Sequence, residues 1–389
     1  METKLENGTL QITLSGRVDS TNAAAVGEEM LAACAAPHDA LVIDAKELEY
    51  ISSAGLRVIL RLRKENPKME IINVASEVYE VFDMTGFTEM LTIKKAWREL
   101  SVEGCHVLGA GAKGTVYRYD ADTIVKVYKN QDSLPDIQRE RELARRAFVL
   151  GVPTAISYDI VRVGEQFGSV FELLDAKPFS QLIAEEPDAR DGYIEEYANL
   201  LRLIHSTEVK PDEMPDAREI VKKWLSTASS YLSDGVREKV VALCDGIPET
   251  NQMLHCDYHT NNVMSQKGET LLIDMDTLSH GHPIIELANV YITYVGFGEV
   301  DPPNVENFLG MPYSLAVYVW KKFLPVYLGT DDPARIAEVE QKVRLLSYLR
   351  LLRHLSRRGA ADSETGREQI AYAVRMIEEL APKTDTLLF

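Results

Sequence analysis

The sequence predicts two folded units in series, an α/β domain over residues 1–100 and an α+β domain with lobes at residues 101–175 and 176–389. Three observations carry this. Short β-like and helical patterns alternate through the first hundred residues, and a glycine-rich turn near residue 110 separates two β-favouring runs. From Pro178 to Phe389 the apolar residues recur mostly at helical spacing. A chain of 389 residues is also too long for one ordinary core.

In the first unit Leu10, Ile12 and Leu14 alternate with polar residues, as a half-buried strand requires. Ser20-Thr21-Asn22 offers caps for an Ala-rich helix with Val26, Met30 and Leu31 on one face. Leu41-Val42-Ile43-Asp44 reads as a buried strand. Leu56 to Lys64 reads as a helix, Met69 to Val74 as another strand, and Val78, Val81 and Phe82 begin a further amphipathic helix.

With 46% hydrophobic and 26% charged residues the composition is that of a soluble globular protein. A formal charge of −18 disfavours nucleic acid and anionic membranes as partners, because the field repels phosphates. No apolar run is long enough to span a bilayer, and the polar start, Met1 to Asn7, suggests no signal peptide. Cys34, Cys105, Cys244 and Cys256 are scattered without a C-x-x-C pair, which suits the reducing cytoplasm.

Leu14 to Ser20, Val42-Ile43-Asp44 and Tyr50-Ile51-Ser52-Ser53-Ala54-Gly55-Leu56 together resemble a STAS domain, the anti-sigma-factor-antagonist fold, and Asp83-Met84-Thr85-Gly86-Phe87 is similar to that family's last helix and turn. The resemblance covers residues 1–100 and implies a protein partner such as an anti-sigma factor. It also implies phosphorylation at Ser53, two residues before the glycine, with Ser52 standing where the family usually has an acid. A phosphate there would be favoured by the helix dipole and would add about −1.5 to −2 charges to a docking surface. The bland alternative is a simple helix cap.

Val107 to Val116 contains G-x-G-x-x-G at Gly109, Gly111 and Gly114, weak evidence alone. A dinucleotide fingerprint must run directly into a helix, whereas Thr115-Val116-Tyr117-Arg118-Tyr119 favours strand. Strand, glycine loop, strand lays backbone N–H groups over nucleotide phosphates. Lys126, set between apolar neighbours in Thr123 to Tyr128, needs an anionic partner; a phosphate and a helix carboxylate would serve. Glu140 is preferred to Glu142 for that carboxylate, since Ala144 and Ala147–Phe148 share its helix face. Phe171-Glu172-Leu173-Leu174-Asp175 reads as a hinge whose backbone would hold an adenine edge, near Glu172 and Leu174.

The most informative stretch is His255-Cys256-Asp257-Tyr258-His259-Thr260-Asn261-Asn262, followed twelve residues later by Asp274. Phosphoryl transfer needs hard oxygen ligands for Mg²⁺, fitting Asn262 and Asp274, and a carboxylate facing the accepting hydroxyl, fitting Asp257. With Val152-Pro153-Thr154, Leu203-Ile204-His205 and Pro283-x-x-Glu286-Leu287-Ala288, this pattern resembles the aminoglycoside phosphotransferase/choline kinase branch of the protein-kinase-like fold over residues 101–389. The resemblance implies ATP and Mg²⁺ as cofactors, Asp257 as catalytic base, and Asn262 and Asp274 as metal ligands. Cys256 stands where the family has a small Gly, and Glu286 where it commonly has Asp.

No D-F-G, A-P-E or long activation segment follows Asp274, which favours a small hydroxylated substrate over a protein. The alternatives are a kinase directed at Ser53 of its own or a partner STAS domain, and an ATP-sensing module without turnover. The histidines between His255 and His282 fit no zinc spacing and read as structural. Val343 to Arg358 reads as a helix with buried leucines and solvated arginines.

Overall fold

In the first unit an antiparallel hairpin of β1 (Glu2–Glu6) and β2 (Thr9–Val18) opens a five-stranded sheet. The sheet continues in parallel through β3 (Ala40–Ile51), β4 (Met69–Val74) and β5 (Thr92–Lys95). Helices α1 (Ala23–Ala33), α2 (Ser53–Glu65), α3 (Ser76–Met84) and the single turn α4 (Phe87–Met90) supply the crossovers. This computed structural model describes residues 1–111 and 113–389, so Ala112 of the glycine-rich run lies outside the described residues.

Alternation in β2 puts Leu10, Ile12 and Leu14 into the core with Ile43, Ile59 and Phe82. The proposed Ser-Thr-Asn cap of α1 does not form: Asn22 Oδ1 accepts instead from the Asp19 N–H at 2.9 Å. Ser52, not Ser53, supplies the N-cap oxygen of α2, accepting from the Gly55 N–H at 3.4 Å. Ser53 is exposed in the first turn. A Cβ on Gly55 would sit 2.7 Å from the Ile51 side chain, so glycine sets how closely α2 lies on the sheet. The short strand β6 (Arg98–Glu99) follows this sheet.

The chain divides into two compact units, Met1–Ser101 with Ile160–Glu165, and Val102–Asp159 with Gln166–Phe389. The second unit begins with β7 (His106–Ala110), β8 (Gly114–Arg118), β9 (Thr123–Tyr128) and helix α5 (Leu134–Val149). After β10 (Asp159–Val163), which pairs in parallel with β6, strand β11 (Gln166–Glu172) lies antiparallel to β9. Strands β11, β9, β8 and β7 thus stand in that order as an antiparallel sheet.

Beyond it the chain is largely helical, as its periodicity predicts. After the short strand β12 (Lys177–Pro178) come α6 (Phe179–Glu185), α7 (Arg190–Ser206), α8 (Arg218–Ala228) and α9 (Asp234–Asp245). A β-rich insert follows: β13 (Met253–Leu254), β14 (Val263–Gln266), β15 (Glu269–Leu272) and β16 (Ser279–His280). The remainder is α10 (Ile284–Tyr291), α11 (Phe297–Val300), α12 (Pro302–Leu309), α13 (Tyr313–Leu328), α14 (Pro333–Arg357) and α15 (Glu364–Leu380). Helix α14 packs on α8, α10 and α15 and buries eleven of its residues, among them Leu345, Leu349 and Leu352. Its arginines are not all solvated as expected. Arg344 and Arg350 are only partly exposed, whereas Arg357 and Arg358 are exposed.

Candidate active site

The β7–β8 turn is shaped by a backbone requirement at one glycine. A Cβ on Gly114 would lie 2.4 Å from the Val127 carbonyl oxygen, so only glycine lets β8 approach β9 so closely. Gly109 and Gly111 have nothing within 4 Å where their Cβ would be. The loop is closed by Gly111 N–H donating to the Gly114 carbonyl at 2.9 Å and by Lys129 Nζ on the Gly111 carbonyl at 2.6 Å.

One face of β9 brings Lys126 and Tyr128 to α5. Lys126 Nζ donates to Glu140 Oε1 at 3.0 Å and to Asp274 Oδ1 at 3.2 Å. Tyr128 Oη donates to the other Glu140 oxygen at 2.9 Å. Glu140 is therefore the carboxylate that meets the lysine; Glu142 pairs with Arg145 and Arg146 instead. Burial works to lower the Lys126 pKa, but the Glu140 and Asp274 carboxylates outweigh it and hold the ammonium firmly charged. Burial, reinforced by Glu140, likewise keeps the Tyr128 phenol protonated. On α5, Ala144 and Ala147 share the buried face with Glu140, while Phe148 is exposed.

Asp274 lies two residues past the end of β15, in the left-handed region at φ 62°. Its carboxylate, with those of Glu140 and Asp276, can offer oxygens within 4.8 Å of one another. Lys113, in the glycine loop, pairs with Asp276. A cavity of about 330 Å³ opens here, large enough for a small ligand. Leu108, Val116, Ile124, Phe171, Met264 and Ile273 make it apolar on its walls. Lys126, Glu140, Asn262 and Asp274 gather polar atoms in it, and Glu172 and Leu174 line it from the hinge.

The Asp257 loop stands beside this cavity rather than lining it, joined to it through Asn262. Asn262 Nδ2 donates to the Asp257 carbonyl at 3.0 Å. Burial would raise the Asp257 pKa, but the His259 imidazole, 3.7 Å from Oδ2, prevails with help from His255 and Arg350, and the carboxyl is held down at about 2. His255 braces the loop, its Nε2 3.3 Å from the Ile273 carbonyl and its own carbonyl accepting from Thr277 Oγ1 at 2.7 Å. Ser53 belongs to the first unit.

Sequence reasoning noted Glu286 as a departure but gave it no role. Fully buried, it accepts the His255 and Cys256 backbone N–H groups at 2.6 Å each, one on each carboxylate oxygen. His205 Nε2 lies 3.2 Å from Oε2 and its Nδ1 2.7 Å from Tyr327 Oη, which anchors the carboxylate from behind. Asn289, one turn along α10, donates to the Cys256 carbonyl at 3.0 Å. Cys256 itself adopts φ 65°, a conformation that suits the family's glycine better than a thiol side chain. The period-two spacing of Lys126 and Tyr128 was the available signal for the tyrosine.

A glycine loop, a lysine–glutamate pair and a braced Asp257–Asn262–Asp274 set, all within the second unit, define a phosphotransferase. The family model described as phosphotransferase enzyme family matches residues 104–310, just over half of the chain, and the chain belongs to that family. The STAS domain model matches residues 1–100. A Bordetella bronchiseptica protein named as an anti-sigma factor antagonist, BtrV, is 34% identical over 91 residues, which cover 22% of this chain and 78% of that protein. Similar solved structures include an apo thermostable mutant of the aminoglycoside phosphotransferase APH(4)-Ia (14% identity, 72% of this chain and 94% of that one, TM-score 0.46). Another is the streptomycin–ATP complex of APH(2″)-IIa (15%, 81% and 98%, 0.47). A third is a choline/ethanolamine kinase family protein from Mesorhizobium loti (15%, 71% and 87%, 0.45). Among the described residues no helix is long and apolar enough to cross a membrane.

Proposed function

We propose that the protein transfers the γ-phosphoryl group of ATP, with Mg²⁺, to the hydroxyl of a small molecule, and that its STAS domain couples this activity to a protein partner such as an anti-sigma factor. The observation that carries the reading is Lys126 bonded to both Glu140 and Asp274 in a cavity that Asn262 also lines. An amide oxygen and a carboxylate are the hard donors Mg²⁺ takes, so the residues fit the ion. Asn262 and Asp274 would hold it, and when bound it would neutralise charge on the phosphoryl oxygens. The apolar walls and the open space over Gly109 and Gly111 suit a nucleotide base and its phosphates.

Within this reading Lys126, kept charged by its two carboxylates, orients a phosphate oxygen. Asp257, ionised at neutral pH, orients the acceptor hydroxyl and takes its proton as the oxygen attacks phosphorus. Glu286 positions that loop by fixing two successive backbone N–H groups. Catalysis is then mainly positioning and charge stabilisation. The −18 charge and the four unpaired cysteines support a cytoplasmic protein with neither nucleic acid nor membrane as a partner.

A second acceptor is favoured by one observation: Ser53 is exposed at the first turn of α2 while Ser52 does the capping. Incubation with Mg·ATP and a panel of hydroxylated metabolites, with phosphate mapped by mass spectrometry and Asp257→Asn as control, tests both. Transfer to a metabolite that the variant loses supports the main reading. Phosphate at Ser53 lost in the variant supports self-modification, and nucleotide binding with no transfer to anything would favour a sensor.

A further inference from the structure

The loop that carries Asp257 is anchored on both sides of that residue. Before it, Glu286 takes the His255 and Cys256 N–H groups. After it, Tyr294 Oη accepts the Thr260 N–H at 3.0 Å and donates to Thr260 Oγ1 at 2.9 Å. The Thr260 carbonyl accepts from the Ser180 N–H at 3.2 Å, so the backbone and the side chain of Thr260 are all engaged. Tyr294 and Thr260 are fully buried, so a bond lost between them would not be replaced by bulk water.

A change of helical pitch brings Tyr294 to this place. Asn289 on α10 meets the same loop, donating to the Cys256 carbonyl at 3.0 Å. In an α-helix, residues five apart point about 140° away from each other, at about 100° per residue. Between α10 and α11, however, Ile292–Gly296 forms a π-helical turn, with the Phe297 N–H on the Ile292 carbonyl five residues back. Bonds from i to i+5 widen the turn and bring residues five apart toward one face, which is how Asn289 and Tyr294 come to hold a single loop. Such turns are rare and concentrate at functional sites.

Resting on the phosphotransferase reading above, we infer that Tyr294 is a positioning residue for the transfer: its hydroxyl, brought round by the π turn, fixes Thr260 and thereby sets where Asp257 stands relative to Asn262. Asp257 lies three residues before Thr260 and Asn262 two after it, and Asn262 Nδ2 donates back to the Asp257 carbonyl. Freed at Thr260, this segment keeps only its Glu286 anchor and lets Asp257 shift. Lys126 and Glu140 are bonded to each other on separate elements, β9 and α5, and keep their places. Turnover is therefore lost while nucleotide binding is kept.

Tyr294→Phe keeps the ring and removes only the hydroxyl, and Tyr348→Phe is its control. Tyr348 is another fully buried tyrosine of this unit, whose hydroxyl donates to Glu299 at 2.7 Å. ADP release by the full chain from Mg·ATP is followed with water and then with a panel of hydroxylated metabolites as acceptor. Tyr294→Phe should lower kcat about ten- to hundredfold with the affinity for a fluorescent ATP analogue held within about threefold, the split expected of a misplaced catalytic group. Tyr348→Phe should keep kcat within about twofold even where its melting temperature falls as far. Hydrogen exchange of peptides spanning His255 to Asn262, which needs no turnover, should quicken about tenfold in Tyr294→Phe but not in Tyr348→Phe. Unchanged kcat in Tyr294→Phe, an equal loss in Tyr348→Phe, or unchanged exchange in the loop overturns the inference. Should Tyr294→Phe not fold, Thr260→Val, which removes the oxygen that Tyr294 donates to, decides by the same split of kcat from nucleotide affinity. No ADP release and no bound analogue in the unchanged protein would sink the phosphotransferase reading, and the role of Tyr294 in transfer with it. Transfer by the unchanged protein that Tyr294→Phe matches sinks the role of Tyr294 only.

Discussion

Removing the Glu286 carboxylate should cost both stability and turnover, because one buried side chain satisfies the backbone of the loop that carries Asp257. Glu286→Ala strands the N–H groups of His255 and Cys256, each now held at 2.6 Å, and takes a partner from His205. A buried donor left unmade costs about 1–3 kcal/mol, so two of them amount to about 2–6 kcal/mol. That is a large part of the 5–15 kcal/mol typical of a whole domain. The melting transition of the second unit should fall by on the order of 10 °C. Glu286→Gln keeps one acceptor and turns an amide N–H₂ toward the other donor, so it should fall between Ala and the unchanged protein. Where the variants fold, a loosened loop misplaces Asp257, and kcat/KM should drop about a hundredfold. Nucleotide affinity should hold, since Glu286 does not line the cavity. Scanning calorimetry of the three proteins checks the order. If Glu286→Ala melted within about 1 °C of the unchanged protein, the two hydrogen bonds would not be holding the loop and the reasoning would be wrong.

Further outcomes follow from the same geometry. Asp257→Asn should lower phosphoryl transfer by about 10²–10⁴-fold, read by ADP release with acceptor present, while a fluorescent ATP analogue still binds. The folded-state pKa of Asp257 is depressed to about 2, so its contribution to stability is present above the ordinary carboxylate range and is lost only as pH falls toward 2. A rate profile should accordingly show no acid-side inflection from this group between pH 4 and 7, and a limb near pH 5–6 that moves with His259→Gln would refute its ionised role. Gly114→Ala should lower the melting temperature, because its Cβ would press 2.4 Å from the Val127 carbonyl, whereas Gly109→Ala should not. Lys126→Met should weaken nucleotide binding in a titration and also leave Glu140 and Asp274 without their shared cation.

Part of the site's geometry was legible because phosphoryl-transfer chemistry restricts residue type at fixed spacing. The order of acid, amide and acid singled out Asp257, Asn262 and Asp274; the structure brings Asn262 and Asp274 into the cavity with Lys126 and Glu140, and Asp257 stands beside it. Glu140 could be preferred to Glu142 because a buried carboxylate must share a helix face with apolar residues, and Ala144 and Ala147 are indeed on that face. What escaped was whatever depends on contacts between distant segments. Glu286 reaches back 30 residues to Cys256, and Arg350 reaches 61 residues to Asn289. Neither residue type nor helical periodicity reports such a partner. Periodicity read α14 as leucines inward and arginines outward, but a helix packed against α8, α10 and α15 has too little free surface for that division.

The cap of α2 makes the same point on a smaller scale. Ser52 and Ser53 are both competent N-cap residues by type, and only backbone conformation separates them. Ser52 has the extended φ −91°, ψ 173° of a cap, which commits its oxygen to Gly55 and leaves Ser53 as the hydroxyl presented by the first turn. A phosphate on Ser53 would therefore gain the helix dipole without competing for the cap bond. Ser53→Asp should raise, and Ser52→Ala lower, the unfolding free energy of the amino-terminal unit in a denaturant titration, by about 0.3–1 and about 0.5–2 kcal/mol respectively. If the two serines behaved interchangeably in that measurement, the exposed hydroxyl would have no special standing as a phosphate acceptor.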